Sequence, residues 1–246
     1  MIGIIGYGRF GRLMAGYLAE DFPVAVASRT ASGKDPGNSR LTFASMETVC
    51  REKIVVFSVP ISAFVHVLQR TAPLLRPDAL VVDVCSVKLQ PVAWMQQILP
   101  ESVSILATHP MFGPDSADDS LRDRKIVLCP VRISPPHLRA VRSYLAAKGL
   151  QIIETSPDAH DRQIAVSLAL THFIGRALSA FGAGDLAIDT EGYRRLRHIL
   201  GVVEHDTWQL FEDMHTYNPH AAPIRKDFIR AMQTIDRSLT GNPKGR

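Results

Sequence analysis

Residues 3–11 read Gly-Ile-Ile-Gly-Tyr-Gly-Arg-Phe-Gly, so Gly6, Gly8 and Gly11 stand at the G-x-G-x-x-G spacing directly after a short apolar run. Helical periodicity continues through residues 13–18. Strand, tight turn, helix is the context in which this spacing points to a dinucleotide pyrophosphate. Gly6 permits the turn, Gly8 removes a Cβ that the phosphates would meet, and Gly11 allows close packing of helix on strand. The helix N-terminus adds unsatisfied N–H groups. Tyr7, Arg9 and Phe10 belong to the same candidate cofactor site. An NAD site carries an acidic residue about 20 residues further on, where it binds the ribose. Here that position reads Ser28-Arg29-Thr30 and holds no carboxylate. The Ser28 and Thr30 hydroxyls can donate hydrogen bonds, and Arg29 can stack on adenine or pair with a 2′-phosphate. The pattern favours NADP, with NAD as the alternative. Arg29 as a solvated loop charge is the competing reading.

Three more strand ends carry polar chemistry: Ser58-Val59-Pro60, Ser86-Val87-Lys88 and Thr108-His109-Pro110. Ligands of doubly wound sheets bind beyond the carboxyl ends of the strands, which assigns Ser58, Val59 and Pro60 to the cofactor. His109 is expected just past a strand end, ahead of a Gly113-Pro114 turn. Its ordinary pKa suits proton transfer near neutrality. A loop histidine bonded to backbone is the bland alternative in a chain with nine histidines.

These residues need a scaffold. Strands are expected at 1–5, 24–27, 54–59, 80–84, 104–107, 125–129 and 151–154. Helices are expected at 61–75, 91–99 and 136–148, with Gly149 just past the last of these. Strands alternating with helices predict a doubly wound parallel sheet of Rossmann type over residues 1–155. From residue 156 the strand runs vanish. Helices are expected at 158–181, 190–217 and 221–239, with Asp158 as N-cap of the first and a frayed tail at 240–246. The first of these is apolar on more than one face and needs more than one neighbour. Residues 156–246 are therefore read as an all-α substrate and dimerisation domain, and a homodimer is expected.

Composition excludes several classes. The chain has 246 residues and a net charge of +4, with no basic block interleaved with aromatics, so nucleic acid is a poor partner. The three cysteines, Cys50, Cys85 and Cys129, are far apart and show neither a disulfide framework nor metal-ligand spacing. No apolar run reaches the length of a membrane span, so no membrane partner is expected. The cofactor strand begins at Met1, leaving no room for a signal peptide, so a cytoplasmic protein is expected.

The run Thr108-His109-Pro110-Met111-Phe112-Gly113-Pro114-Asp115-Ser116 resembles the signature of prephenate/arogenate dehydrogenases, the plant-type arogenate dehydrogenases above all. The resemblance continues in order through 83–88, 154–161, 171–176, 190–193 and 217–218. It implies oxidative decarboxylation of a cyclohexadienol with hydride transfer to NADP. Arogenate would give tyrosine; prephenate would give 4-hydroxyphenylpyruvate. By the same resemblance His109 takes the proton of the ring hydroxyl, and Ser86 bonds that hydroxyl near the nicotinamide. For Ser86, a helix N-cap is the other reading. His172 matches a histidine that reaches the active site. The substrate carboxylates need cations, for which Arg197 or His198 is the choice in the run 193–198. A solvated basic face is the alternative there. Gly113 is placed beside the substrate. Asp206 lies where plant-type enzymes carry an acidic residue. A carboxylate in the pocket would pair with the arogenate ammonium and penalise prephenate; an exposed helix charge is the alternative.

Two other functions are weighed. A β-hydroxyacid dehydrogenase would want a lysine on the first helix after the sheet, and 158–181 contains none. A non-catalytic NADP sensor would not require His109 or Ser86.

Overall fold

Every strand of the N-terminal half is a short apolar run bounded by polar or glycine-containing turns, and together these runs make one eight-stranded sheet. A computed structural model describes residues 1–29 and 37–240. It divides into two units, Met1–His160 and Asp161–Arg246.

In the first unit the strands are β1 (Ile2–Ile5), β2 (Val24–Ala27), β3 (Leu41–Phe43), β4 (Ile54–Phe57), β5 (Leu80–Asp83), β6 (Ser104–Pro110), β7 (Lys125–Arg132) and β8 (Gln151–Glu154). Their order is β3-β2-β1-β4-β5-β6-β7-β8. All pairs are parallel except β6 with β7. The order reverses between β1 and β4, which is where a doubly wound sheet opens its binding crevice. The helices are α1 (Arg9–Ala19), α2 (Met46–Cys50), α3 (Ile61–Thr71), α4 (Leu89–Ile98) and α5 (Pro135–Ala147). One core lies under α1, where Ala15 and Ala19 meet Ile2, Ile4, Val24, Val26 and Val56. Another lies under α5, where Leu138, Val141 and Leu145 cover Leu106, Ile126 and Leu128. Strands buried on both faces read as continuous apolar runs, which is why β1, β2, β4 and β5 were legible. Strand β3 and helix α2 were not: one is three residues long, the other five, too short for a period to show.

Helix α6 (Pro157–Ile164) runs without interruption into a π-helical segment (Ala165–Leu170) and α7 (Thr171–Phe181). Ser156, not the expected Asp158, caps it: the Ala159 N–H donates to the Ser156 hydroxyl at 3.2 Å. The helix begins one residue earlier than the sequence reading placed it, so Asp158 sits inside the first turn. The whole run Pro157–Phe181 is 25 residues long with a mean hydropathy of 1.5 over its most apolar window, long and apolar enough to cross a membrane. That corrects the sequence expectation. Gln163, Ser167, Thr171, His172 and Arg176 punctuate the run and hid it from a search for uninterrupted apolar residues.

The second unit continues with α8 (Glu191–Glu204), α9 (Trp208–Thr216) and α10 (Ala221–Thr240). The single helix expected over 190–217 is thus two. Thr207 breaks it by capping α9, its hydroxyl accepting the Leu210 N–H at 3.1 Å. A β-branched residue with a hydroxyl competes for backbone donors and favours such a start. Gly175 is the close-approach point of α7 and α8: a Cβ there would lie 2.7 Å from Val203. The π-helical segment, in which Ala165 and Ala169 are buried, packs on α9 and α10.

Candidate active site

The glycine turn is built as its spacing requires. Gly6 has φ +106°, and a Cβ there would overlap the Ser58 carbonyl oxygen. The Gly6 N–H donates to Ala27 at 2.9 Å and the Ser58 N–H to Ile5 at 2.8 Å, so β1, β2 and β4 end together at this turn. Gly11 is pressed against Gly6, with 2.5 Å between its would-be Cβ and the Gly6 carbonyl oxygen. Gly8 differs: it precedes α1 with φ −72°, and a Cβ there would meet nothing within 4 Å. Neither backbone strain nor crowding within the fold accounts for a glycine at that position. The first turn of α1 has no side-chain cap and no acidic residue, leaving its N–H groups and positive dipole end available to an anion. These features fit a dinucleotide pyrophosphate.

Val59 touches the same turn: its Cγ1 is 3.1 Å from the position of a Gly6 Cβ, and Pro60 immediately precedes α3. Tyr7 packs edge-on to Phe43 at 5.0 Å, with Arg12 over its ring. Arg9 donates to Asp115 at 2.6 Å, and Phe10 lies 6.2 Å from Phe112. The segment that follows β6 is thereby tied to the start of α1. Ser28 and an exposed Arg29 leave β2 beside the glycine turn. Thr30 lies outside the described residues.

His109 is on β6, not beyond it. It pairs in register with Val127 of the antiparallel β7, which extends β6 to Pro110. The sequence reading ended this strand early because Thr-His-Pro is poor strand sequence; the tertiary ladder overrides it. His109 is 6% exposed, and its Nδ1 lies 2.9 Å from Nε2 of His160, itself 2% exposed. Burial, then His160, then the Lys88 ammonium hold the His109 pKa well below the usual histidine range. The ring is neutral at pH 7, the state a general base needs.

Below His109 lies a buried ion pair that the sequence reading missed. Lys88 and Asp83 are both fully buried, and the Lys88 ammonium donates to the Asp83 carboxylate and to the Thr108 carbonyl. The Cys85 N–H donates to the same carboxylate at 3.0 Å and the Thr108 N–H at 3.3 Å, while the Thr108 hydroxyl donates to the Asp83 carbonyl at 2.6 Å. The pair locks the end of β5, the 85–88 segment and the residue before His109 into one unit. Its only trace in the sequence is an acid ending an apolar strand with a lysine five residues on. Ser86 sits on this locked segment. It is not an N-cap: α4 starts at Leu89 with Lys88 as the preceding residue. Its hydroxyl oxygen is buried and has no hydrogen-bond partner among the described residues. A buried hydroxyl is costly unless a ligand group or a water satisfies it. Gly113 lies in a turn closed by Ser116, whose hydroxyl accepts the Gly113 N–H at 3.1 Å.

In the second unit His172 of α7 is 2% exposed, and its Nε2 lies 3.6 Å from an Asp206 carboxylate oxygen. Burial lowers the His172 pKa, Asp206 opposes this, and Arg176 adds to it. The His172 Nδ1 is buried without a partner among the described residues. Arg176 donates to the Asp206 carbonyl and lies over the Trp208 ring. Residues 34 positions apart in sequence are thus adjacent because α8 returns the chain to α7. Arg197 pairs with Asp185 instead. Arg197 and His198 line an open cleft of about 590 Å³ with Arg176, Ser179 and Arg194. Arg176, one helical turn from His172, is a cation that the sequence reading did not place at this site; that spacing was the available signal.

The family model of the prephenate dehydrogenase nucleotide-binding domain matches residues 32–154, and a TYRAAT1-like C-terminal domain model matches residues 177–246. Arogenate dehydrogenase 2, chloroplastic, of Arabidopsis thaliana is 30% identical, the match covering 98% of this chain and 70% of the relative. Of a second Arabidopsis thaliana arogenate dehydrogenase, also 30% identical, the match covers 39%. The crystal structure of Synechocystis arogenate dehydrogenase superposes with a TM-score of 0.72 at 25% identity, covering 97% of this chain and 90% of that one. A prephenate dehydrogenase from A. aeolicus, solved in complex with hydroxyphenyl propionate and NAD+, shares the fold with a TM-score of 0.74 at 19% identity, covering 96% of this chain and 89% of that one.

Proposed function

The chain belongs to the prephenate/arogenate dehydrogenase family, and from that premise we propose that it converts arogenate to tyrosine and CO2 with NADP+ as oxidant. The observation that carries the reading is the presence, at the ends of two adjacent strands, of a neutral, buried His109 on β6 and of a Ser86 hydroxyl without a partner among the described residues just past β5. The glycine turn at Gly6, Gly8 and Gly11, with Ser58 and Val59, would hold a nicotinamide dinucleotide, and Arg29 would meet its 2′-phosphate. When bound, the nicotinamide supplies the two-electron acceptor. His109 accepts the proton of the substrate ring hydroxyl, and Ser86 holds that oxygen. As the carboxylate leaves C1 as CO2 and the ring aromatises, the proton returns to the same oxygen, now phenolic. Aromatisation makes the step effectively irreversible.

His172, Arg176 and Asp206 form the substrate-binding part of the helical unit in this reading. The half-buried Asp206 carboxylate favours the arogenate ammonium, which it would attract, over the prephenate keto group, whose oxygen carries partial negative charge. Arg176 and His198, which line the open cleft, serve the substrate carboxylates, since Arg197 is engaged by Asp185. We further propose a homodimer through the helical unit. Helix α10 exposes Ile229, Met232, Ile235 and Leu239 along one face, an apolar stripe that suits a second copy.

The test is a steady-state assay of arogenate and prephenate, each with NADP+ and with NAD+, following reduced cofactor. The expected result is turnover mainly with arogenate and NADP+. Turnover mainly with prephenate would retain His109 and Ser86 but overturn the role given to Asp206. Cofactor binding without turnover of either substrate would overturn the assignment. In the same assay His109→Asn is expected to lower kcat by roughly 10²–10⁴-fold with cofactor affinity retained.

A further inference from the structure

We infer that His160 is the positioning residue of the site, holding His109 in the one tautomer that can act as a base. The inference rests on the reading of His109 as the proton acceptor. The two rings share a single short contact, Nδ1 of His109 to Nε2 of His160 at 2.9 Å, with ring centroids 5.1 Å apart and planes at 70°. One proton occupies that contact. If His160 donates it, His109 Nδ1 is the acceptor and the neutral His109 ring must carry its proton on Nε2. Both nitrogens are then committed, and neither can take a proton from substrate. If His109 donates, its Nε2 keeps a free lone pair, and after protonation the Nδ1–H bond to His160 survives unchanged. Only the second arrangement lets His109 receive a proton without breaking a buried hydrogen bond. The role is the one an aspartate plays behind a catalytic histidine in hydrolytic triads, where the wrong tautomer is costly. Here an imidazole nitrogen takes that place.

The backbone around the pair is held firmly. His160 lies in the first turn of α6, its N–H donating to the Ser156 carbonyl at 2.9 Å. The Thr155 N–H donates to Leu128 at 3.1 Å, and Leu128 is the register partner of Thr108, next to His109. Strand β7 therefore spaces the two histidines. The charged and titratable groups facing His109 within this unit are His160 from α6 and Lys88 from the segment before α4, with Asp83 of β5 behind Lys88. A cationic neighbour and burial together make a positive charge on the His109 ring unfavourable. An imidazole acceptor orients His109 without placing a negative charge beside it. An aspartate in this place would raise its pKa.

The experiment records kcat and kcat/KM against pH for arogenate with NADP+ in the unmodified protein, His109→Asn, His160→Phe, His160→Gln and His160→Asp. Imidazole 15N spectra of histidine-labelled protein are taken alongside. In the unmodified protein His109 is expected as the Nδ1–H tautomer at neutral pH. His160→Phe keeps ring volume but no acceptor, and kcat is expected to fall on the order of 10²-fold with cofactor affinity unchanged. His160→Gln, which restores an acceptor near the Nε2 position, recovers at least about tenfold of that loss. His160→Asp moves the acid limb of the profile up by about one pH unit or more. A His109 Nε2–H tautomer in the unmodified protein would overturn the inference whatever the turnover. So would His160→Phe with the kcat and acid limb of the unmodified protein. If His109→Asn remains active, the reading of His109 as base falls and takes this inference with it. If His109→Asn is inactive and His160→Phe is not, only the role of His160 falls.

Discussion

At the scale of single residues, a few buried or half-buried polar groups stand out. His172 and Asp206 are the clearest pair that tertiary structure assembled from separate expectations. In an arogenate site the carboxylate faces an ammonium, so Asp206→Asn is expected to lower the ratio of kcat/KM for arogenate over prephenate by about tenfold, equivalent to about 1.4 kcal/mol. An unchanged ratio in paired assays would remove Asp206 from the pocket. Lys88 and Asp83 work differently, because neither reaches outside the protein: both are fully buried. Replacing one member leaves an uncompensated buried charge, so Lys88→Met is expected to destabilise the fold by about 3–5 kcal/mol in denaturant unfolding. A loss below about 1 kcal/mol would mean that Thr108 and Cys85 alone satisfy Asp83. The motif around His109 was legible because its residue types are unusual in sequence. The lysine–aspartate pair was not, because nothing in a sequence says that two charges share a dry site.

At the scale of elements, the glycine turn separates two reasons for glycine. Gly6 is required by the fold, having positive φ and the Ser58 carbonyl where a Cβ would be. Gly8 has an ordinary backbone and open space around it. Gly8→Ala is therefore expected to cost the cofactor-free protein at most about 1 kcal/mol, the N-cap preference of glycine over alanine, while cutting NADP+ affinity by at least about tenfold. Thermal unfolding with and without cofactor separates the two effects. Gly6→Ala is expected to lower the unfolding temperature even without cofactor. Other elements were read less accurately, for physical reasons. Strand β6 is longer than its sequence because β7 pairs with it as far as Pro110. The helix over 190–217 divides because Thr207 starts a new one. The π-helical segment before α7 has no sequence period of its own. Such segments are frequent at functional sites.

At the scale of the whole molecule, several histidines are buried in their neutral form. Burial lowers the pKa of His109 and of His172, and burial with Arg225 and His172 lowers that of His215 to about 4. The unfolded chain protonates the same groups near 6.5. Below that pH the unfolded state binds more protons than the native one, so stability rises with pH across this window. Stability present at pH 7 is thus lost progressively as pH falls from about 6.5 towards 4. The unfolding temperature at pH 5 is expected to lie below that at pH 7 at constant ionic strength, and His215→Phe is expected to flatten the slope. A temperature that rises on acidification would contradict the buried neutral histidines.

Taken alone, the amino-acid sequence determined the layered plan, the cofactor turn and His109 as the residue to watch. These depend on local period, on glycine's missing Cβ and on a rare run of residue types, all of which are written in consecutive positions. Tertiary structure alone decided that His109 leans on His160, that Ser86 is an unsatisfied hydroxyl and not a cap, and that Asp206 meets His172 while Arg197 turns to Asp185. Each of those outcomes depends on which distant strand ends and helix turns are packed side by side. Burial and partner choice set the protonation state and orientation of a side chain, and neither is a property of its neighbours in sequence.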